Sequence, residues 1–438
     1  MGNCLQKDGG GTDGGVGSAT TGGNPLCESP KAESAVKKVI QEQLAAAFAT
    51  YRPTLLKDAA PLRAAMATPN HIHEFKLNVT LSNGEQHAFN AFRVQHNNLL
   101  GPYKGGLRFH KMVEIEECTA LATWMTMKTA LVGLPLGGGK GGVNINTKEH
   151  SAEDVERVAR EFGRQLAPVI GDTVDVPAPD VGSGPSLMLA MLDEYNKQSG
   201  TESPGTFTGK PVDRGGSLWR TEATGYGVAL ATRSILGGDV NGKTIAVQGQ
   251  GNVGFFAAKF LTEWGAKLVA TGDSSGYRQA DGGLKLPDSP GGGRVKDWKQ
   301  GVLIELAQFF AVKCDVMIPC ALELQIDAGV AKSMNCRYIV EGANGPTTPA
   351  GEVVLDSRNI KLVPDILANS GGVIVSYYEW VQNRTGERWA AEKVRTEMEE
   401  LIVPIVNELR SHKGNSRVFC FHKALGNLEK AFVAAQTK

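Results

Sequence analysis

The amino-acid sequence predicts an α/β protein of two domains, of which the second is a Rossmann-type, doubly wound sheet. Three observations support this prediction. The chain of 438 residues is too long for one ordinary hydrophobic core. A stretch rich in Pro, Gly, Ser and Thr at residues 199–217 has the composition of a domain junction. After it, short apolar strands alternate with helix-length segments, and this βαβ pattern favours a mostly parallel sheet with helices on both faces.

The overall composition narrows the class of protein. Hydrophobic residues make up 41% and charged residues 21% of the chain, and the formal net charge is zero. We therefore expect no nucleic-acid partner and no attachment to a membrane surface. No apolar run approaches the roughly 18 residues that a membrane span requires. The seven cysteines form no CxxC pair, so we expect no metal site, and reduced thiols in a cytoplasmic protein.

The first thirty residues differ in composition from the rest of the chain. They are rich in Gly, Ser and Thr and contain few large apolar side chains. We expect residues 1–30 to form a disordered tail. The opening Met1-Gly2-Asn3-Cys4 is similar to an acylation signal, but Gln6 stands where that signal has Ser or Thr.

Residues 31–213 are predicted to form the first domain from helices and short strands. Apolar residues recur at helical spacing over residues 31–67, which predicts helix there. A β-hairpin should follow, because alternating apolar residues at 75–81 precede the turn residues Asn83-Gly84 and a second apolar stretch.

The second domain carries a sequence pattern for binding a dinucleotide. In VQGQGNVG, Gly249, Gly251 and Gly254 have the GxGxxG spacing, with a strand predicted at 244–248 and a helix at 255–264. The first glycine allows a tight turn, the second lets the backbone approach a pyrophosphate, and the third lets helix and strand pack closely. The N-terminus of the helix would then face the phosphates.

Asp273 is the candidate residue for distinguishing NAD from NADP. It ends the next predicted strand, 19 residues after Gly254, where a carboxylate can accept hydrogen bonds from a ribose diol. A carboxylate at this place would repel a 2′-phosphate and therefore favours NAD. Arg278 lies close enough in sequence to keep NADP open.

Three lysines and one aspartate mark a second site, upstream of the junction. Lys104 and Lys140 lie in glycine-rich stretches, Lys128 lies on an otherwise apolar helical face, and Asp180 lies in a proline-bounded loop. Such a group suits a small substrate with several carboxylates, and a lysine in a dry pocket can exchange protons near neutral pH. A phosphate-binding loop would need Ser or Thr where Gly141 stands. Simpler roles remain open for two of these residues. Lys128 could extend its ammonium into water at the edge of a helix, and Asp180 could serve only to form a turn.

Several stretches resemble the glutamate dehydrogenases, within the superfamily of amino-acid dehydrogenases that act on Glu, Leu, Phe and Val. The resemblance runs from about residue 35 to the C-terminus, in the order that the family has. It rests on GPYKGGLRF, MTMKTAL, LPLGGGKGGV, DVPAPDVG, TGKPVDRGGSLWRTEATGYGV, VQGQGNVG, EGANGPTTP and ANSGGVIVSYYEW.

The resemblance implies a function for each part of the chain. Residues 31–213 would bind the substrate and make most of the contacts of a homo-oligomer, a hexamer. Residues 214–400 would form the domain that binds NAD, with NADP as a possible alternative. Residues 401–438 would be helices that return to the first domain. The sequence pattern itself predicts helices in this stretch, with a kink at Pro404.

The resemblance also assigns roles to individual residues. Lys140 would be the catalytic lysine that activates water, and Asp180 would transfer protons to and from the amino group. The implied substrate contacts are Lys104 and Ser376 for the side-chain carboxylate, and Lys128 and Asn369 for the α-carboxylate.

The resemblance adds nicotinamide contacts to the glycine loop and Asp273, which the residues themselves predict, and the chain shows two departures from the family pattern. Trp219 stands where the family usually has glycine, and Gln250 replaces a common aromatic residue. The implied contacts are Arg220 and Thr224 at the nicotinamide, Asn344 at its ribose, Gly249, Gly251, Asn252, Val253 and Gly254 in the glycine loop, and Asp273 at the adenosine ribose.

The implied activity is the reversible oxidative deamination of L-glutamate to 2-oxoglutarate and ammonia, with hydride transfer to NAD(P). A dehydrogenase of apolar amino acids is the nearest alternative, but burying the Lys104 ammonium against an apolar side chain would cost several kcal/mol. A nucleotide sensor without activity is a second alternative, and the presence of Lys140 and Asp180 argues against it.

Overall fold

Two β-sheets organise the part of the chain that the computed structural model describes, residues 30–437. A five-stranded sheet lies in the first half and a seven-stranded sheet in the second, which confirms the predicted α/β class. The tail predicted for residues 1–30 lies outside the described residues apart from Pro30, and so do Gly2 and Cys4.

The first domain is a mixed sheet covered by helices. Its elements are α1 (Pro30–Thr50), α2 (Ala60–Ala67), β1 (His71–Thr80), β2 (Gln86–Asn97), β3 (Tyr103–Phe109), α3 (Ile115–Leu131), β4 (Gly138–Val143), α4 (Ala152–Leu166), β5 (Asp175–Pro179) and α5 (Pro185–Ser199). The strand order is β1-β2-β4-β3-β5, with β3 parallel to both β4 and β5. The three strands that carry or precede Lys104, Lys140 and Asp180 are therefore neighbours.

The helical spacing over residues 31–67 corresponds to two helices, α1 and α2. The break between α1 and α2 contains Pro53, which removes a backbone donor and disfavours helical geometry in the residue before it. The carboxylate of Glu429 then accepts the backbone N–H groups of Leu55 and Leu56 at 2.7 and 2.9 Å. A side chain almost four hundred positions away thus satisfies donors that a continuous helix would have used internally.

The hairpin prediction is confirmed. Strands β1 and β2 pair in antiparallel register, with Thr80 opposite Gln86 across the turn. Gly84 has a φ of 87° in that turn, a conformation that glycine adopts without steric cost. Leu77 and Val79 are buried whereas their neighbours in β1 are exposed, as the alternating pattern requires.

The second domain is the doubly wound sheet that the sequence predicts. Its elements are α6 (Ala223–Ile235), β6 (Thr244–Gln248), α7 (Asn252–Glu263), β7 (Lys267–Asp273), β8 (Gly276–Gln279), β9 (Val302–Ile304), α8 (Leu306–Ala311), β10 (Val316–Pro319), α9 (Ala328–Ser333), β11 (Tyr338–Val340), α10 (Pro349–Ser357), β12 (Lys361–Val363), α11 (Asp365–Ala368) and α12 (Gly371–Thr385).

The strand order of this sheet is β12-β11-β10-β6-β7-β8-β9, and β8 alone runs antiparallel to the strands on either side of it. The chain leaves β6 for β7 on one side and later returns to place β10 on the other. Ligands of doubly wound sheets bind at such a reversal, outside the carboxyl ends of the strands.

Two long helices end the described chain, α13 (Ala391–Ser411) and α14 (Ser416–Gln436). Helix α13 packs on α6 and α12, and it continues through Pro404. Residue 401, the predicted start of the returning helices, lies within α13. The chain returns to the first domain only after α13, with α14 packed on α1 and α3.

One hydrophobic cluster runs through both domains. It joins Trp124 and Leu131 of α3 to Leu230 of α6, Val375 of α12 and Leu425 of α14. Because each square ångström of apolar surface removed from water contributes about 25 cal/mol, this shared cluster holds the two domains against each other.

Residues 30–437 contain no helix that is long and apolar enough to cross a membrane. Within the same range no group of three or more His, Cys, Asp or Glu side chains could hold a metal ion.

Trp219 has a backbone conformation that normally requires glycine. Its φ is 66°, in the left-handed region, where a side chain costs roughly 1–2 kcal/mol. The Trp219 ring packs on Tyr226 and Phe260 with ring centroids 5.7 and 5.6 Å apart, and the guanidinium carbon of Arg395 lies 5.0 Å from its centroid. These aromatic and cation–π contacts offset the strain of the backbone.

Replacing Trp219 by glycine should leave a more stable protein than replacing it by alanine, by about 1 kcal/mol. Both substitutions remove the ring, and only glycine also relieves the backbone strain. Thermal or urea unfolding of the two variants measures the difference. At Glu400, an exposed position inside α13, the order should reverse because alanine favours a helix. Equal stabilities of the two Trp219 variants would contradict the strain assigned here.

Candidate active site

The predicted polar residues of both domains come together where the two domains face each other. The first domain supplies Lys104 from β3, Lys128 from the last turn of α3, Lys140 from β4 and Asp180 just after β5. The second domain supplies Asn344 after β11, Asn369 at the end of α11 and Ser376 in α12.

Glycines beside the lysines allow the strands to approach closely. A Cβ on Gly105 would lie 1.6 Å from the carbonyl oxygen of Gly139, between β3 and β4. A Cβ on Gly106 would lie 2.8 Å from the Cβ of Asp180. The glycine-rich stretches therefore make room for the neighbouring strand and for Asp180.

Lys140 and Asp180 are in direct contact. The Lys140 ammonium donates a hydrogen bond to Asp180 Oδ2, and Arg108 Nε donates to Asp180 Oδ1 at 3.0 Å. Burial tends to raise the pKa of Asp180, but the charges of Lys140 and Arg108 outweigh it and hold that pKa below its usual value. Asp180 is thus an anion between two cations. Arg108, which also donates to Glu117, was not singled out from the sequence.

The ammonium of Lys104 is buried and faces two hydroxyl groups. It donates to Thr208 Oγ1 at 2.8 Å, and the hydroxyls of Thr208 and Ser376 share a hydrogen bond of 2.6 Å. Lys104 also donates to the carbonyl oxygen of Val176 at 3.1 Å. Burial lowers the pKa of Lys104, and the charge of Arg220 lowers it further. Because both hydrogen-bond acceptors are neutral, a ligand carboxylate would supply a missing countercharge.

Thr208 is a site residue that the sequence did not reveal. It lies in residues 199–217, whose composition indicated only a junction. Buried Lys210 in this segment pairs with Glu379 of α12 at 2.8 Å, and both side chains are fully buried. This ion pair attaches the segment to the second domain and holds Thr208 in the site.

Lys128 connects the two domains. Its ammonium donates to Asn369 Oδ1 at 2.6 Å, and Asn344 Oδ1 lies 3.4 Å away. Asn369 Nδ2 in turn donates to Asn344 Oδ1 at 3.0 Å. Burial lowers the pKa of Lys128 to about 8 against the opposing charge of Asp365, and the charge of Lys140 acts in the same direction as burial. The burial of Lys128 excludes the simpler role in which its ammonium lies in water.

Arg220 and Thr224 lie beside Gly372, at the start of α12. A Cβ on Gly372 would approach Thr224 Oγ1 to 2.5 Å and Arg220 Nη1 to 3.8 Å. Arg220 Nε is buried without a hydrogen-bond partner among residues 30–437, and burial lowers the pKa of this guanidinium. The Nε–H group of Arg220, whose charge acts on Lys104, is therefore free to donate a hydrogen bond to a ligand.

The glycine loop lies at the end of β6, where the strand order of the sheet reverses. Gly249 has a φ of 94°, and Gly251 precedes α7, which begins with Asn252 and Val253. A Cβ on Gly254 would lie 2.0 Å from the carbonyl oxygen of Gly249, whereas a Cβ on Gly251 would meet nothing within 4 Å. The loop is closely packed at its first and third glycines and open at the second, which fits a pyrophosphate.

Asp273 ends β7, at the other end of the crevice. Its carboxylate accepts the backbone N–H groups of Ser275 and Val295 at 2.7 and 3.0 Å. The guanidinium of Arg278 donates to four backbone carbonyl oxygens, those of Val295, Lys296, Gln300 and Gly301. Arg278 is therefore committed to the protein backbone and not to a 2′-phosphate.

Two family models match the chain. The Glutamate/Leucine/Phenylalanine/Valine dehydrogenase model matches residues 215–434. The model of the Glu/Leu/Phe/Val dehydrogenase dimerisation domain matches residues 69–197. Residues 198–214, which contain Thr208 and Lys210, lie between the two matches.

Individual proteins give the same result. The NAD-specific glutamate dehydrogenase of Clostridioides difficile is 42% identical over 347 residues, which are 76% of this chain and 82% of that protein. NADP-specific glutamate dehydrogenase A1 of Halobacterium salinarum is 41% identical over 348 residues, with coverages of 76% and 82%. The hetero-hexameric glutamate dehydrogenase of Thermus thermophilus, in its leucine-bound form, superposes with a TM-score of 0.85 at 29% identity, covering 93% of this chain and 99% of that one.

The affinity of this site for a small dicarboxylate such as glutarate should fall as the pH rises through about 8. Lys128, with its pKa lowered to about 8, is a cation below that pH and attracts a carboxylate, whereas above it the amine is neutral. We expect the dissociation constant of glutarate, measured by calorimetry, to rise by up to about tenfold per pH unit there. Lys128→Arg stays charged and should lose this dependence. An unchanged pH dependence in that variant would assign it to another group.

Proposed function

Because this chain belongs to the Glu/Leu/Phe/Val dehydrogenase family and acts on glutamate with NAD or NADP, we propose that Lys140 and Asp180 perform the proton transfers of its reaction. The reaction is the reversible oxidative deamination of L-glutamate to 2-oxoglutarate and ammonia. The observation that carries the proposal is the direct contact between Lys140 and Asp180, beside two further buried lysines.

The two remaining lysines bind the two carboxylates of glutamate. Lys104, with the hydroxyls of Thr208 and Ser376, offers donors for the side-chain carboxylate. Lys128 and Asn369 offer donors for the α-carboxylate, between the two domains. A substrate held at both ends would keep its Cα in one position, which is what an efficient reaction at that atom requires.

The same arrangement discriminates against apolar amino acids. An apolar side chain at Lys104 would leave the ammonium buried without a countercharge, at a cost of several kcal/mol. Discrimination on the order of 10⁴-fold in favour of glutamate is then expected.

The chemistry divides between the dinucleotide and the side chains of the protein. When it is bound, the nicotinamide accepts the hydride that leaves Cα of glutamate. Asp180 accepts a proton from the amino group, so that the nitrogen lone pair is free to form the imine. Once its ammonium has lost a proton to solvent, Lys140 deprotonates the water that adds to the imine carbon. Asp180 then returns its proton to nitrogen as ammonia leaves, and its carboxylate takes the proton of the carbinolamine hydroxyl, which becomes the carbonyl of 2-oxoglutarate. The contact between these two side chains lets protons pass between them inside the site.

NAD is the dinucleotide that the crevice favours. The carboxylate of Asp273 would accept hydrogen bonds from the adenosine ribose and repel a 2′-phosphate. Arg278, the residue that kept NADP open, has its donors engaged by backbone carbonyl oxygens. Relatives of both specificities exist, so this preference depends on these two residues of this chain.

The protein is an oligomer, since residues 69–197 match a dimerisation domain. A homo-hexamer is the assembly proposed here, supported by the likeness to a hetero-hexameric glutamate dehydrogenase. Light scattering should give six times the chain mass of 46.6 kDa. A dimer mass would contradict the hexamer.

The proposed location is the cytoplasm. Five cysteines within the described residues carry free thiols, and three of them are buried. Free thiols persist in reducing compartments. Recovery of the protein in an oxidising compartment on cell fractionation would contradict this location.

Reductive amination of 2-oxoglutarate by ammonium tests the assignments, with NADH and NADPH run in parallel. Asp180→Asn should lower kcat by about 10³-fold with little change in KM, because an amide of the same shape cannot carry the proton. Lys104→Met should lower kcat/KM for 2-oxoglutarate by about 10³-fold and leave that for 2-oxoisocaproate within about tenfold.

The control is Lys197→Met, which removes a cation from the exposed surface of α5 and should leave both substrates unaffected. Equal losses for the two substrates in Lys104→Met would contradict its role at the side-chain carboxylate. Faster turnover with NADPH than with NADH would contradict the role of Asp273.

A further inference from the structure

Arg417, in the first turn of α14, is 2% exposed and lies among three carboxylates of the second domain. Its Nη2 donates to Glu341 Oε2 at 2.8 Å, and its Nη1 donates to Asp365 Oδ1 at 2.7 Å. Its Nε donates to Glu352 of α10. One guanidinium thus joins the residue after β11, a residue of α10 and the first residue of α11.

Burying this cluster of charges costs more free energy than a purely structural contact would require. Three acids share one cation in a buried place, and burial raises the pKa of Glu341 to about 7 against the opposing charge of Arg417. Buried ion pairs are often no more stabilising than apolar side chains of the same volume. The hydrogen bonds around the cluster indicate a role in positioning neighbouring segments.

Two of the three acids hold the segments that carry the asparagines of the active site. Asp365 donates its backbone N–H to Glu341 Oε2 at 2.8 Å, and Asp365 Oδ2 accepts the N–H of Gly345 at 2.9 Å. The segment 341–345 contains Asn344, and α11 runs from Asp365 to the residue before Asn369. Both asparagine segments are therefore attached to the atoms that Arg417 binds.

The other part of α14 is attached to the lysine side of the same site. Ten residues after Arg417, or about 15 Å along the helix, Asn427 Nδ2 donates to the carbonyl oxygen of Ala130 at 2.9 Å. Ala130 lies in the turn of α3 that carries Lys128. Helix α14 thus connects the two sides of the contact between Lys128 and Asn369.

We propose that Arg417 is a positioning residue for binding of the α-carboxylate, acting through Asp365 and Glu341 on Asn344 and Asn369. This inference rests on the proposed function, in which Lys128 and Asn369 bind that carboxylate. By fixing the asparagine segments to the helix that also contacts α3, Arg417 sets the separation of the two halves of the binding site. Glu352 binds the same guanidinium but lies on α10, apart from either asparagine segment.

The test compares two substitutions that remove one carboxylate each from the cluster. Asp365→Asn replaces one of the two carboxylate oxygens by an NH2 group, so the side chain can no longer use one oxygen for the hydrogen bond from Arg417 and the other for that from Gly345. Glu352→Gln removes the same charge at the same guanidinium without touching the asparagine segments, and it is the matched control. Both changes preserve side-chain shape, whereas truncation of Arg417 would leave three buried acids without a cation and endanger folding.

Steady-state kinetics of reductive amination, with the oligomer checked for integrity, gives the readout. Asp365→Asn should raise the KM for 2-oxoglutarate by about tenfold, with kcat changed by less than about twofold. The KM for NADH should rise as well, because Asp365 also accepts from Gly345, next to Asn344, which is assigned to the nicotinamide ribose. Glu352→Gln should change all three by less than about twofold. Arg417→Lys, which reaches fewer acceptors, should behave as Asp365→Asn does. Equal KM values for 2-oxoglutarate in Asp365→Asn and Glu352→Gln would overturn the inference. A raised KM in Asp365→Asn with an unchanged KM in Arg417→Lys would also overturn it, because Asp365 acts on Lys128 through its charge as well.

Lys128→Met separates failure of this inference from failure of the proposed function. If Lys128→Met raises the KM for 2-oxoglutarate and Asp365→Asn does not, the proposed function stands and the role of Arg417 falls. If neither variant changes that KM, the α-carboxylate assignment itself is wrong, and the role of Arg417 falls with it.

Discussion

The active site depends on one constraint, the burial of three lysine ammonium groups. A buried ammonium loses its hydration, so its charge persists only where neighbouring atoms accept hydrogen bonds from it. The acceptors differ in charge: Lys140 has the carboxylate of Asp180, Lys128 has amide oxygens, and Lys104 has a hydroxyl and a carbonyl oxygen. Only Lys140 has a full countercharge. The other two keep their attraction for carboxylates, which separates the binding of the substrate from its chemistry.

Buried ion pairs outside the site hold the segments that carry these lysines. Arg93 Nε binds Asp175 at 2.8 Å under the strands of the first domain, and both side chains are fully buried. Lys210 and Glu379 fix the segment between the domains, while Arg417 gathers acids from three places in the second. Such pairs contribute little net stability, but losing one partner leaves a buried charge. Their effect is to allow few alternative geometries around the site.

Local features of the fold could be predicted because short-range spacing determines them. The hairpin around Asn83-Gly84 and the strand before Gly249 follow from alternation and turn residues, and both are present. The helical spacing over residues 31–67 did not reveal the break between α1 and α2, where Glu429 binds the backbone of the intervening residues. Thr208 was missed for a related reason: its position is set by an ion pair to α12, and no local pattern reports that contact.

The sequence by itself determined which chemical groups are present and in what order, since glycine spacing, lysines among glycines and alternating strands are local properties. It also determined the family, because many short motifs in one order are specific together. Only the tertiary structure decided which partner each lysine has. Lys128 and Asn369 are 241 positions apart, and Lys104 reaches Thr208 across 104. Burial, which lowers the pKa of both lysines, belongs to the packed domains as a whole and to no segment of the chain.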